Sequence, residues 1–139
     1  MKIGFTGTRE GMTEPQFKAF EELFFLLNPV ALLHGCCLGA DKQAHDLAYP
    51  TVRVEAFPPV DKFLAFNPIG ASTVHPEDKF LDRNKKIVDN STILIATPRD
   101  FNEELRSGTW STIRYAKNLG KGIYIIYPDG RIEEIEATK

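Results

Sequence analysis

Short apolar segments that end in glycine alternate with helical patterns along this chain of 139 residues. IGFTGT (3–8) and PVALLHG (29–35) are both segments of this kind, which is typical of buried strands. Further strands are predicted at 51–57, 92–97 and 123–128. A repeated strand–helix order indicates a parallel sheet with right-handed crossovers and helices on both faces. We therefore expect one α/β domain over residues 1–139, with a Rossmann-like, doubly wound, mostly parallel sheet.

Helical patterns fill the gaps between the predicted strands. Thr13 and Gln16 form a capping-box pattern. The apolar residues that follow recur at three- and four-residue spacing: Phe17, Phe20, Leu23, Phe24 and Leu27. A second helix is predicted at 40–48. A third is predicted from about Pro76, with an apolar stripe of Phe80, Leu81, Ile87 and Val88. A fourth begins at the N-cap Ser107 and ends at Gly120.

Two segments are less regular. Residues 57–76 hold four prolines and read as a long loop with at most one helical turn, either a binding loop or an ordinary surface excursion. After a turn at Asp129 and Gly130, RIEEIE (131–136) is predicted as a short edge strand.

Composition and cysteine spacing argue against several classes of protein. A net charge of −2 gives no overall positive field for a long polyanion. No apolar run approaches the ~20 residues of a membrane span, and MKIGFTGTRE reaches glycine and charge early, so we expect a cytoplasmic protein. Cys36 and Cys37 are adjacent, which is unsuited to an ordinary disulfide, and no second Cys/His pair completes a zinc site. We expect no metal and no resident cofactor, and a buried or reactive role for the thiols.

Three glycine-containing turns follow predicted strands. In a parallel sheet these turns emerge at one edge, where ligands bind. Each turn combines glycine or a small hydroxyl residue with a helix start, which offers free N–H groups to an anion such as phosphate. Neither G-x-G-x-x-G nor the P-loop motif is present. The candidate ligand-binding residues of these turns are Gly7, Thr8, Arg9, Gly35, Gly39, Asp41, Ser107, Gly108 and Thr109.

Two polar residues of the predicted helices leave alternatives open. Asp41 would repel phosphate and fits ribose hydroxyls or a base amine, or else it caps its own helix. His45, one turn later, is placed to bond to Asp41. Asn84 falls within an apolar stripe and is expected to be buried. It either ties the helix to a neighbouring backbone or points with Arg83 into the crevice.

Several segments resemble the SLOG superfamily, which includes DNA-processing protein A and the LOG proteins. GCCLGADKQAH is similar to the family's G-x-x-x-G-x-D-x-x-A-H turn, and RNKKIVDNSTILIATP to its Arg-Asn helix and following strand. SGTWSTIRYAKNLGKGIYIIYPDG is similar to its S-G-x-x-x-T-x-x-x-A helix and final strand, and GFTGTR to its first strand. The resemblance implies a nucleotide-binding Rossmann-like domain, commonly a homodimer. It adds Arg83, Asn84 and, at the place of the family's PGG turn, Pro98 to the ligand-binding set.

The resemblance also implies two alternative activities. LOG proteins release the base from nucleoside 5′-monophosphates with an arginine, matched by Arg83, and a glutamate, which is replaced here by Thr112. Glu103 or Glu104 could supply that carboxylate if their loop folds inward. The branch of DNA-processing protein A (DprA) binds single-stranded DNA. In this chain such binding would require a local basic patch: Arg83, Lys85, Lys86, Arg114 and Lys117.

Our leading prediction is a stand-alone protein that senses or sequesters a small phosphorylated nucleoside or nucleotide derivative. Arg9 and residues 107–109 would receive phosphate, Asp41 the ribose, and Arg83 would contribute charge.

Overall fold

One seven-stranded sheet forms the centre of the computed structural model, which describes residues 1–138. The spatial order is β4-β3-β2-β1-β5-β6-β7, and all neighbours are parallel except β6 and β7. The strands are β1 (Lys2–Gly7), β2 (Ala31–His34), β3 (Arg53–Ala56), β4 (Thr73–Val74), β5 (Ile93–Thr97), β6 (Gly122–Ile126) and β7 (Ile132–Ile135). The predicted doubly wound, mostly parallel fold is confirmed. The predicted edge strand forms as β7 and pairs antiparallel with β6.

Four helices cover the two faces of the sheet: α1 (Glu14–Leu27), α2 (Ala40–Ala48), α3 (Phe80–Asp89) and α4 (Gly108–Asn118). Helices α1 and α2 pack with one set of alternating strand side chains, including Ile3, Phe5 and Ile95. Helix α4 and the end of α3 pack with the opposite set, including Leu94 and Ile123. Strand order therefore reverses between β1 and β5, and a crevice opens there at the carboxyl ends of the strands.

Local chemistry fixes the starts of α1 and α4 as the sequence indicates. The Thr13 hydroxyl accepts from the Gln16 backbone N–H (3.1 Å), and the Gln16 side chain accepts from the Thr13 N–H (3.2 Å), which completes the capping box. The Ser107 hydroxyl likewise accepts from the Trp110 N–H (3.2 Å). Gly120 has a φ of 73°, as expected for a glycine that ends a helix.

The segment from Phe57 to Lys79 departs from the prediction. The two-residue strand β4 lies within the predicted loop, followed by His75, whose N–H donates to the Ala56 carbonyl (2.9 Å). The 3₁₀ turn at Lys62–Leu64 agrees with the single helical turn expected there. Helix α3 begins at Phe80 and not near Pro76, because Asp78 exchanges backbone hydrogen bonds with the chain at 58–60. None of the helices within residues 1–138 is long and apolar enough to cross a membrane.

The buried face of α3 also differs from the expected stripe. Leu81 is 60% exposed and Asn84 is only half-buried, whereas Arg83 is buried with Ile87 and Val88. The helix is rotated so that its first turns face the crevice, and the polar residues reach it while Leu81 lies at its rim.

Candidate functional site

The three predicted turns meet around one cavity of about 470 Å³ at the carboxyl ends of β1 and β5. The structure brings eleven of the predicted site residues to its wall: Gly7, Thr8, Arg9, Gly35, Asp41, Arg83, Asn84, Glu104, Ser107, Gly108 and Thr109. A cavity of this size holds a nucleotide-sized ligand.

Three other predicted site residues lie outside the cavity wall. Gly39 has a φ of 91°, and a Cβ there would collide with the Arg9 carbonyl, so this glycine lets α2 approach the loop after β1. The buried Pro98 offers its carbonyl to the Gln16 side chain (2.9 Å). Glu103 turns away and pairs with Arg114 (2.7 Å). These three residues therefore do not line the cavity.

The cavity also has lining residues that the sequence reasoning missed. Thr6, Glu10, Cys37, Phe80, Arg99 and Arg106 contribute to it. Arg99 and Arg106 belong to the polar loop between β5 and α4, which any crevice at the end of β5 must include. The position of this loop, together with its two arginines, could have indicated Arg99 and Arg106 as site residues.

The arginines at the cavity differ in their ion pairing. Arg99 contacts Glu10 (3.5 Å) and Glu104 (3.2 Å), so it joins the loops after β1 and β5. Within residues 1–138 no carboxylate lies within 4.0 Å of Arg9 or Arg106, so both keep an uncompensated positive charge. Because both are exposed at the cavity, they are free to bind an anion.

Helix α4 directs its amino end at the same cavity. Ser107 caps the third N–H of the helix, and the N–H groups of Gly108 and Thr109 have no hydrogen-bond partner among the described residues. A Cβ added at Gly108 would meet nothing within 4 Å, so the approach is open. Free N–H groups and the positive helix end together favour an anion here.

Arg83 is only 5% exposed and is held largely by the protein itself. Its Nη1 donates to the carbonyls of Gly35 and Phe57 (3.0 Å to the latter), and its Nε donates to Asn84 Oδ1 (2.8 Å). A Cβ at Gly35 would lie 2.5 Å from Nη1, which explains the glycine at this position. Of the two predicted roles for Asn84, the structure shows the one beside Arg83 at the cavity.

Asp41 lies at the inner wall of the cavity, 6% exposed. Its carboxylate accepts from the Cys37 N–H (3.2 Å), so it does fix its own turn, as one of the two alternatives expected. Burial raises the pKa of Asp41 to about 6, and the Arg83 guanidinium opposes that rise. Near neutral pH Asp41 is therefore still mostly ionised, and it gains a proton at a higher pH than an exposed carboxyl does.

The sequence suggested a hydrogen bond between His45 and Asp41, but the structure does not show one. Its Nδ1 lies 2.9 Å from His34 Nε2, and its Nε2 lies 2.8 Å from the Ile69 carbonyl. His34 Nδ1 accepts from the Cys36 N–H (2.9 Å), which places the His34 proton on Nε2. Burial, with His45 and Arg83 nearby, lowers the pKa of His34 to about 3. The two rings thus connect β2 to the 57–75 segment.

The two thiols lie in different surroundings and neither is activated. Burial raises the pKa of Cys36 to about 11 and also raises that of Cys37. Cys36 donates to the Phe66 carbonyl (3.0 Å), whereas Cys37 lines the cavity. Within residues 1–138 no group of three or more His, Cys, Asp or Glu residues is placed to hold a metal ion.

The basic patch considered for DNA is largely compensated. Arg83 is buried, Lys86 pairs with Asp78 (2.6 Å), and Arg114 pairs with Glu103 (2.7 Å). Lys85 and Lys117 remain exposed. Two exposed lysines give only weak electrostatic attraction for a nucleic acid strand.

Comparison with known proteins supports the fold. No protein-family model and no curated protein sequence matches the chain. Among solved structures, the molybdenum cofactor binding protein of the phototrophic bacterium Rippkaea orientalis superposes with a TM-score of 0.70 at 20% identity, over 91% of this chain and 76% of that one. TM1055, a structural-genomics target, superposes with a TM-score of 0.63 at 15% identity, over 88% of this chain and 71% of that one.

DNA processing protein A from Streptococcus pneumoniae superposes with a TM-score of 0.66 at 22% identity, over 89% of this chain. This chain spans about half of that one, 49%. These likenesses, each below 25% identity, are likenesses of fold. The chain shares the fold of these three proteins, one of which, DNA processing protein A, belongs to the family that its motifs resemble.

Proposed function

We propose that the protein binds a small phosphorylated nucleoside or nucleotide derivative in the cavity between β1 and β5, and that it senses or sequesters this ligand. The observation that supports the proposal most is that two arginines without an ion pair among the described residues share one cavity with the open amino end of α4. A phosphate dianion needs several converging donors, and this part of the wall offers them.

The phosphate would lie between Arg9, Arg106 and the N–H groups of Gly108 and Thr109. Asp41 would receive sugar hydroxyls, because a carboxylate accepts two hydrogen bonds and repels phosphate. Asp41 is held by its own turn and so is already oriented, which lowers the entropic cost of binding. A homodimer, expected from the family resemblance, is part of the same proposal.

Isothermal titration calorimetry with nucleoside 5′-monophosphates tests this proposal. Each charge-assisted hydrogen bond contributes about 1.5–3 kcal/mol, so Arg106→Gln should weaken binding about tenfold or more. Arg53→Gln is the matched control, since Arg53 is exposed at the amino end of β3, the opposite edge of the sheet. The molybdenum cofactor belongs in the ligand panel because of the Rippkaea likeness. Equal affinities for the wild type and Arg106→Gln would contradict the proposed phosphate site.

A phosphoribohydrolase is the second candidate, and one specific contact favours it. Glu104 lines the cavity beside Arg99 (3.2 Å), so the loop does carry a carboxylate inward. Thr112, at the position of the LOG glutamate, donates its hydroxyl to the Gly108 carbonyl (2.8 Å) and brings no charge. A hydrolase would therefore depend on Glu104 to stabilise an oxocarbenium-like transition state.

A further inference from the structure

The ring of Phe80 is the flat surface that the cavity offers to a ligand. Phe80 is the first residue of α3 and is half-buried. Of the described residues that line the cavity, only Phe5 and Phe80 are aromatic. Phe5 is 0% exposed and packs edge-on against Phe20, with centroids 5.1 Å apart. A planar ligand group can therefore stack on Phe80 and not on Phe5.

Two guanidinium groups lie against this ring. Arg83 is 5.4 Å from the ring centroid and fixed by its buried hydrogen bonds, whereas Arg9 is 4.7 Å away, exposed and without an ion pair among the described residues. An exposed guanidinium–ring contact is weak beside a charge-assisted bond to phosphate. A phosphate in the cavity would therefore draw Arg9 away from Phe80.

We infer that Phe80 is the base-stacking residue of the site and that Arg9 shields it until phosphate binds. This inference rests on the function proposed above and narrows its ligand class to phosphates that carry an aromatic base. Stacking on an aromatic side chain suits any base, because every base has a π-face. Binding of phosphate and of base are coupled through one side chain, Arg9.

Asn84 adds a polar contact beside the ring. Its Oδ1 accepts from Arg83 Nε (2.8 Å), which fixes the amide, and its Nδ2 has no partner among residues 1–138. The Asn84 amide therefore keeps two N–H donors at the cavity for a ring nitrogen or carbonyl of the base.

Calorimetry with AMP and ribose 5-phosphate tests the inference, because the two ligands share phosphate and sugar. The wild type should bind AMP about tenfold more tightly, the usual effect of one stacked base. Phe80→Leu should lose most of this preference, and its affinity for ribose 5-phosphate should not fall, because Arg9 no longer has to leave the ring. Phe80→Tyr should retain the preference. Phe101→Leu is the control, since Phe101 is 50% exposed and stacks on Tyr127.

A second measurement does not depend on the fold of the leucine variant. In Phe80→Trp, AMP should quench the emission that this variant adds to that of the native Trp110, and ribose 5-phosphate should not. An AMP preference that survives in Phe80→Leu, an equal loss of affinity for both ligands, or absent quenching would overturn the inference and leave the phosphate site intact. If the wild type binds neither ligand, the inference falls together with the proposed function.

Discussion

The buried histidine His34 should make the protein lose stability as the solution becomes acidic. The pKa of the His34 ring falls from 6.5 in the unfolded chain to about 3 in the fold, because the ring is fully buried beside His45 and Arg83. Below pH 6.5 the unfolded chain gains a proton that the folded protein does not take up. Folding stability due to this group is therefore complete above pH 6.5 and is lost as pH falls toward 3.

The size of the effect follows from these two values. Integration from pH 7 to pH 5 gives a loss of about 2 kcal/mol from His34. Asp41 acts in the opposite sense, since its pKa is raised to about 6. The fold gains about 1 kcal/mol from Asp41 over the same interval, as the unfolded carboxyl protonates only near pH 4. The free energy of unfolding of the wild type therefore changes little with pH, and a variant is needed to separate the effects of His34 and Asp41.

His34→Gln isolates the contribution of the histidine. A glutamine amide can donate to His45 but leaves the Cys36 N–H without its acceptor, so the variant should be less stable at pH 7 by about 1–3 kcal/mol. The difference in the free energy of unfolding between variant and wild type should narrow by about 2 kcal/mol between pH 7 and pH 5, because only the wild type carries the titrating His34.

Urea unfolding followed by circular dichroism at several pH values gives the required free energies of unfolding. His75→Gln is the matched control, since the His75 ring is half-exposed and contacts the Glu55 carboxylate (2.9 Å), and this variant should not show the narrowing. A gap that stays constant within about 0.5 kcal/mol would refute the burial argument for His34.

Two further predictions concern packing and catalysis at the cavity. Gly35→Ala should destabilise the fold by about 1–3 kcal/mol, because its Cβ would press on the fixed Arg83 guanidinium. Gly108→Ala, with open space around the added atom, should change the free energy of unfolding by less than about 0.5 kcal/mol in the same urea assay. If the protein is a phosphoribohydrolase, Glu104→Gln should abolish release of ribose 5-phosphate from a nucleoside monophosphate and Glu103→Gln should not. Activity that is lost in the second variant alone would contradict the assignment.

The sheet could be predicted because its signals are local. Apolar runs that end at Gly7 and Gly35, and helix caps such as Thr13, lie within a few residues of the structure they specify. Strand β4 has only two residues, too few for a period-2 pattern, and it forms because β3 is available as a parallel partner. Its existence depends on tertiary pairing, so no local pattern indicates it.

In the candidate site, too, some features follow from local sequence and others depend on tertiary contacts. A parallel sheet brings its strand–helix turns to one edge, so Arg9 and Ser107 could be placed together from their positions after β1 and β5. The choice of partners could not be predicted, since Arg83 takes its acceptor at Phe57, 26 residues away. The His34–His45 contact similarly depends on how α2 is set against β2.

The hydrogen bonds of Arg83 limit what this residue can do for a ligand. A guanidinium has five N–H groups, and Nε and Nη1 together commit three of them to Asn84, Gly35 and Phe57. A fourth, on Nη2, faces Cys37 Sγ at 3.8 Å. At most one N–H then remains for a ligand, which rules out the two-pronged grip that arginine uses on phosphate. We therefore expect Arg83 to act on a ligand through its charge beside Asp41, and we propose that phosphate contacts are made by Arg9 and Arg106, which have no ion pair within residues 1–138.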